Sequence, residues 1–216
     1  MPRRRWLAHC SLAVAVAAAT VALPSLAAAA ASPTILVVGD SLSAEYGLAR
    51  GSGWVALLEQ RLARDHLGAT VVNASISGDT TAGGLARLPA LLRDRKPDLV
   101  VIELGANDAL RGLPLEATRE NLLAMARLAK AAGAKVLILG MQLPPNYGRV
   151  YGDKFAALFA DVASSAGTAL VPFLLKGVAD SPQAESMFQA DRIHPLASAH
   201  PTILANVWPV LAPMLK

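Results

Sequence analysis

Five short apolar runs recur along the chain, at Ile35–Val38, Thr70–Ala74, Leu99–Leu104, Val136–Leu139 and Ala169–Val171, each bounded by turn-forming residues. They are rich in Val, Ile and Leu and do not alternate with polar positions. Such unbroken runs suit strands buried on both faces of a parallel sheet. Segments of helical period lie between them. Trp54–Leu67 sets Val55, Leu58 and Leu62 on one stripe, and Leu85–Arg93 follows the second run. Glu116–Ala132 has the clearest period, through Leu122, Met125, Ala129 and Ala132. Phe155–Ala166 and Ala199–Leu215 complete the series, with Pro209 and Pro213 expected to break or end the last helix. Strand and helix in alternation predict an α/β domain with a mostly parallel sheet. No repeat or linker divides the chain after residue 31, so residues 32–216 are expected to form a single domain.

Residues 1–31 follow a different pattern. Arg3–Arg5 precede an Ala-rich apolar stretch, Leu7–Leu23, and small residues follow. This reads as a secretory signal peptide, cleaved after Ala27 or Ala31. The weakly apolar Ala content and Pro24 argue against a retained membrane anchor. The mature protein is therefore expected in the periplasm or outside the cell, with no stable membrane insertion. Cys10, the only cysteine, falls in the leader. The mature chain then has no disulfide, no thiolate metal site and no Cys nucleophile.

Charge adds a further exclusion. The chain has 20 Lys and Arg against 16 Asp and Glu, but three of the arginines are Arg3–Arg5 and the leader holds no acid. The remainder is nearly neutral and has no basic run to track a phosphate backbone, which argues against a nucleic-acid partner. A hydrophobic content of 54% supports a sizeable core.

In open parallel sheets, ligands bind beyond the carboxyl ends of the strands. Four polar sets stand there or just before the last helix: Gly39-Asp40-Ser41-Leu42-Ser43, Asn73–Thr80, Gly105-Ala106-Asn107-Asp108 and Asp191-Arg192-Ile193-His194-Pro195. Taken singly, each has a plainer reading as turn chemistry. Position 43 is Ser rather than Gly, so the first set is not a Gly-x-Ser-x-Gly elbow. An acid three residues before a His can fold back onto the imidazole and leave Nε2 as a base. Gly78 can bring a backbone N–H close to a ligand oxygen, and Asn107 can donate from its carboxamide. Together the sets supply a hydroxyl nucleophile, a base, its orienting acid and oxyanion donors, the roles acyl transfer requires.

These blocks resemble those of the SGNH (GDSL) hydrolases, over nearly the whole chain from Ile35 to beyond His194. The most specific stretches are Gly39–Ala44, Val71–Thr80, Gly83–Leu92, Glu103–Gly112, Leu143–Gly148 and the Asp191/His194 block. The resemblance implies a flavodoxin-like three-layer α/β/α sandwich, with five parallel strands in the order 2-1-3-4-5. It implies Ser41 as nucleophile, His194 as general base and acid, and Asp191 as its partner. The oxyanion hole would be the amides of Ser41 and Gly78 with the Asn107 side chain. The implied substrates are small acyl esters, thioesters and lysophospholipids, cleaved by a monomer with no cofactor and no metal. A short-chain carbohydrate acetylesterase, or a non-catalytic flavodoxin-like module, is the competing reading.

Leu110, Leu113, Pro144 and Tyr147 are expected to line an acyl pocket. Two positions depart from the family pattern, Ala106 and Arg192, each where Gly is usual. Arg192 is expected to face solvent. His66 and His200 are expected at the surface.

Overall fold

All five apolar runs become strands of one parallel sheet. In the computed structural model, β1 is Thr34–Gly39, β2 Thr70–Asn73, β3 Leu99–Glu103, β4 Lys135–Leu139 and β5 Ala169–Val171. Their order is β2-β1-β3-β4-β5, and every neighbouring pair is parallel. The register sets Val37 opposite Val101 and Ile102 opposite Ile138, so the most apolar positions meet in the middle. β3 is buried at every position, whereas the edge strands β2 and β5 are largely half-buried. Continuous apolar runs therefore mark the central strands most strongly.

The structure describes Met1 and residues 32–215. The predicted leader, with its cleavage at Ala27 or Ala31, lies outside the described residues. The helices are α1 Trp54–Arg64, α2 Thr81–Arg95, α3 Ala106–Leu110, α4 Leu115–Ala131, α5 Arg149–Ala166 and α6 His200–Leu211. α1 packs on α6, while α2, α4 and α5 pack side by side. With the strand order β2-β1-β3-β4-β5, the general right-handedness of parallel crossovers assigns these two groups to opposite faces of the sheet. Trp54, Phe155 and Phe159 are the largest fully buried side chains, and the two phenylalanines meet edge to face at 5.1 Å.

Some boundaries move. α2 begins four residues before the predicted Leu85, because the Thr80 hydroxyl caps it by accepting the Gly83 amide. α5 begins at Arg149, six residues before the predicted start, and α3 was not foreseen. Pro209 does not break the last helix: it lies inside α6, and residues Ala212–Leu215 continue as a 3₁₀ turn that holds Pro213.

Candidate active site

The turn after β1 is built on Asp40. Its carbonyl accepts the amides of Ser43 and Ala44, and its Oδ1 accepts the Leu42 amide at 3.0 Å. Ser41 is thereby presented at the carboxyl edge of the sheet. Gly39 is required by close approach: a Cβ there would stand 2.8 Å from Glu103 Oε2 and 2.9 Å from Ser43 Cβ.

The loop before α6 brings the imidazole to that hydroxyl across 153 residues. His194 Nε2 lies 2.8 Å from Ser41 Oγ, and His194 Nδ1 lies 2.7 Å from Asp191 Oδ2. The other Asp191 oxygen accepts the amides of Ile193 and His194, each at 3.0 Å. A carboxylate can only accept, so Nδ1 carries the proton and Nε2 offers its lone pair to the Ser41 hydroxyl. Burial would raise the Asp191 carboxyl, but those amide and ring hydrogen bonds outweigh it and bring its pKa down to about 2. The Tyr46 ring covers the imidazole, centroid to centroid 4.3 Å. Gln189 Nε2 ties the two loops by donating to the carbonyls of Tyr46 and Pro195.

The oxyanion candidates come from the next two connections. Gly78 has φ +78°, a conformation that favours glycine, and Arg111 holds its carbonyl at 2.7 Å. The amides of Ser41 and Gly78 have no acceptor among the described residues. Asn107 Nδ2 donates to Asp40 Oδ2 at 2.9 Å and to the Asp79 carbonyl at 3.0 Å. Arg87 braces the same corner by bonding Asp79 Oδ2 and the carbonyls of Ala74 and Gly39.

Ser41, Asn107 and His194 share a cavity of about 570 Å³, whose walls are mainly apolar: Leu110, Met141, Leu143, Phe173, Leu175 and Phe188. Leu110 and Pro144 line it. Leu113 and Tyr147 do not: they stand 41% and 37% exposed, beyond the Gly112 turn and in the 3₁₀ turn Pro145–Tyr147. Most of the unforeseen wall comes from the connection after β5, where the run Phe173-Leu174-Leu175 was the available signal. Ala106 opens α3 without positive φ, so its methyl costs no backbone strain and joins the wall. Arg192 is exposed as expected, yet it also lines the cavity and holds φ +59°.

Sequence reasoning missed the buried polar groups beneath the site. Glu103 Oε2 accepts the Ser43 hydroxyl at 2.7 Å, and Trp54 Nε1 donates to that same hydroxyl oxygen. Burial, then the nearby Asp40 charge, pushes the Glu103 carboxyl well above its usual range. Burial also lifts Asp40 to about 6. Asp108 accepts the amide and hydroxyl of Thr81, which locks α3 to the start of α2. His200 is a correction, being buried rather than at the surface. Its Nδ1 accepts the Trp54 amide at 2.9 Å, serving the start of α1, where Gly53 has no side chain to cap it. Burial lowers its pKa.

A family model described as "GDSL-like Lipase/Acylhydrolase family" matches residues 37–200. The chain belongs to that family. It is 56% identical over 195 residues to "Esterase TesA" of Pseudomonas aeruginosa, covering 90% of this chain and 96% of the relative. It is 42% identical over 188 residues to "Thioesterase 1/protease 1/lysophospholipase L1" of Escherichia coli K12, covering 87% and 88%. Among solved structures, a crystal structure of TesA superposes with TM-score 0.81 at 57% identity, covering 84% of this chain and 99% of that one. The esterase EstA from Pseudoalteromonas gives TM-score 0.79 at 37% identity, covering 85% and 99%. The sheet order and the likeness to this family agree with the flavodoxin-like expectation.

Proposed function

We propose that the protein is a serine esterase that cleaves acyl esters and thioesters through an acyl-enzyme on Ser41. The observation that carries this reading is the chain of contacts from Ser41 Oγ to His194 Nε2 at 2.8 Å and from His194 Nδ1 to Asp191 at 2.7 Å, at the mouth of an apolar cavity. Ser41 Oγ attacks the acyl carbon as its proton passes to Nε2. The carbonyl oxygen becomes an oxyanion, stabilised by the amides of Ser41 and Gly78 and the Asn107 carboxamide. The imidazolium, held by Asp191, then protonates the departing alkoxide or thiolate. Water, deprotonated by His194, attacks the acyl-enzyme and releases the acid and Ser41. No step needs a cofactor or metal.

The mainly apolar wall suits an acyl chain rather than a sugar-borne acetate. Small acyl esters, thioesters and single-chain lysophospholipids are the substrate classes that fit, and the names of the relatives point the same way. The leader read in residues 1–31 would deliver the enzyme to the periplasm or beyond, where ester and lysophospholipid cleavage are more accessible than acyl-CoA cleavage. It is expected to act as a monomer. Among the described residues no helix is long and apolar enough to cross a membrane.

The test is a nitrophenyl ester series from two to sixteen carbons, with fluorophosphonate labelling of wild type and Ser41→Ala. Efficiency should rise beyond acetate by about fourfold for each methylene buried, from ~0.8 kcal/mol each. Label should appear only when Ser41 is present. Activity confined to acetate would replace this reading with an acetylesterase, and an unlabelled folded wild type would remove catalysis altogether.

A further inference from the structure

The wall of the cavity that holds Ser41 and His194 includes one arginine and no lysine among the described residues, and the arginine is Arg192. Its backbone amide donates to the Gln189 carbonyl at 2.9 Å, but its guanidinium has neither an ion pair nor a hydrogen bond among the described residues. Five N–H donors therefore stand open beside the catalytic contacts. Two carboxylates share the wall, Asp180 and Glu185, both on the connection after β5. Asp180 already accepts the Gly177 amide, and neither acid pairs with Arg192.

Arg192 also holds this place against a backbone cost. Its φ is +59°, in the left-handed region where a glycine would sit without strain. Glu45, His66 and Lys96 are the other described non-glycine residues with positive φ, and none of them lines the cavity. A side chain kept at a strained position and left unpartnered at the site fits use by a ligand.

Its place in the chain says which part of a ligand it meets. His194 protonates the departing group, so that group leaves along the loop carrying His194. Two residues separate Arg192 from His194, a span of at most about 7 Å. In a 1-acyl glycerophospholipid the phosphorus lies five bonds from the ester oxygen, which is comparable reach. In an acyl-CoA the first phosphate lies beyond the whole pantetheine arm, past the rim. A guanidinium matches phosphate oxygens with paired, charge-assisted hydrogen bonds.

We propose that Arg192 is a specificity residue that binds the phosphate of a glycerophosphate leaving group, directing the site toward single-chain phospholipids. This rests on the reading of the protein as an esterase acting through Ser41 and His194.

The test compares two ratios of kcat/KM, each at matched lauroyl chains and below micelle-forming concentrations. One is lysophosphatidylglycerol against monoacylglycerol; the other is lauroyl-CoA against lauroyl-N-acetylcysteamine. Wild type, Arg192→Gln, Arg192→Gly and Arg192→Lys are measured, with a thermal midpoint for each. The lipid ratio should fall by about 5–20-fold in the Gln and Gly variants, mainly through KM, as for loss of a hydrogen bond to a charged group at a partly wetted site. Arg192→Lys should keep the lipid ratio within about threefold of wild type, since it retains the charge but loses the fork. The CoA ratio should move by less than about twofold in every variant. Arg192→Gly should not lower the midpoint, because it relieves the left-handed backbone. A merely structural arginine would lower the midpoint and leave the lipid ratio alone, and that result overturns the proposal. An unchanged lipid ratio in the folded Gln and Gly variants also overturns it. So does an equal fall in both ratios, which would make Arg192 a general attractor of anions. Each of these leaves the esterase reading standing, whereas a folded wild type that cleaves none of the four substrates overturns both.

Discussion

Replacing Gly39 by Ala adds one methyl at the point where the β1 turn, Ser43 and Glu103 converge. The new Cβ would lie 2.8 Å from Glu103 Oε2, 2.9 Å from Ser43 Oγ and 2.9 Å from Ser43 Cβ. The carboxylate oxygen and hydroxyl can swing away, but Ser43 Cβ moves only with its backbone, which is tied to Asp40. Overpacking of this kind costs about 1–3 kcal/mol. Losing the buried Ser43–Glu103 hydrogen bond adds about 1 kcal/mol. The sum, about 2–4 kcal/mol, lowers the thermal midpoint by roughly 4–16 °C in a domain of this size. Displacing the Ser41 turn by even part of an ångström should also reduce kcat, since a misplacement of ~1 Å costs about 10²-fold. Circular-dichroism melts and butyrate-ester kinetics read both effects. Gly152→Ala is the matched control: it is a helical glycine with nothing within 4 Å of the added Cβ, and it should gain about 0.5–1 kcal/mol. A Gly39→Ala midpoint within about 2 °C of wild type would refute the claim that Gly39 is there for space.

Two further outcomes follow from the buried acids. Native pKa values above the unfolded ones mean that the folded state holds its protons more firmly, so this contribution to stability is full below about pH 4 and is lost as pH rises through the native values. For Asp40 the window runs from 3.8 to about 6, and the loss is about 3 kcal/mol. Glu103→Gln removes one of the two titrations. The midpoint of the variant minus that of wild type should therefore climb between pH 4 and 8, and a flat difference contradicts the buried pair. Asp108→Ala leaves the Thr81 amide without its acceptor and frees α3 from α2. It should cost about 2–4 kcal/mol, with Asp108→Asn costing roughly half, both read from melts.

How far the chain could be read depended on whether a property was local. Val100–Ile102 and Val136–Leu139 are visible as strands because burial on both faces leaves no room for polar residues. Ser41, Gly78 and Asn107 stand out because the rule linking strand ends to ligands points at them, and His194 because an acid stands three residues before it. The start of α2 was hidden because Thr81-Ala82-Gly83-Gly84 has poor helix propensity, and the Thr80 cap together with tertiary packing sustains it: a Cβ on Gly84 would meet Leu104 Cδ1 at 2.3 Å. Asp40, Glu103, Asp108 and His200 were passed over for a different reason. A polar side chain is by default a surface one, and nothing nearby in the chain announces that its partners lie 27 to 146 residues away. Leu113 and Tyr147 fail in the opposite sense: they are apolar and close to the site in sequence, yet a turn of the chain takes each out of the cavity.

The two kinds of polar group at this site are arranged for different work. Ser41 and Asn107, the proposed nucleophile and oxyanion donor, rest on side chains that are almost fully buried, Asp40, Ser43, Glu103 and Asp108, and that bond mostly to one another and to main chain. Each is costly to bury, and each is tolerated because removing its partner would cost more. The imidazole and its acid instead sit on a loop whose residues 191–193 are exposed, held by hydrogen bonds from that same loop. A tetrahedral oxyanion needs its donors fixed before it forms, since reorganising them during the reaction would cancel the benefit. A base that shuttles one proton between nucleophile, leaving group and water has no such demand, and needs only its tautomer held. Under the proposed mechanism, burying the oxyanion side while leaving the histidine loop near solvent satisfies both requirements. It also leaves the apolar wall, drawn largely from the connections after β4 and β5, free to set chain-length preference without disturbing the chemistry.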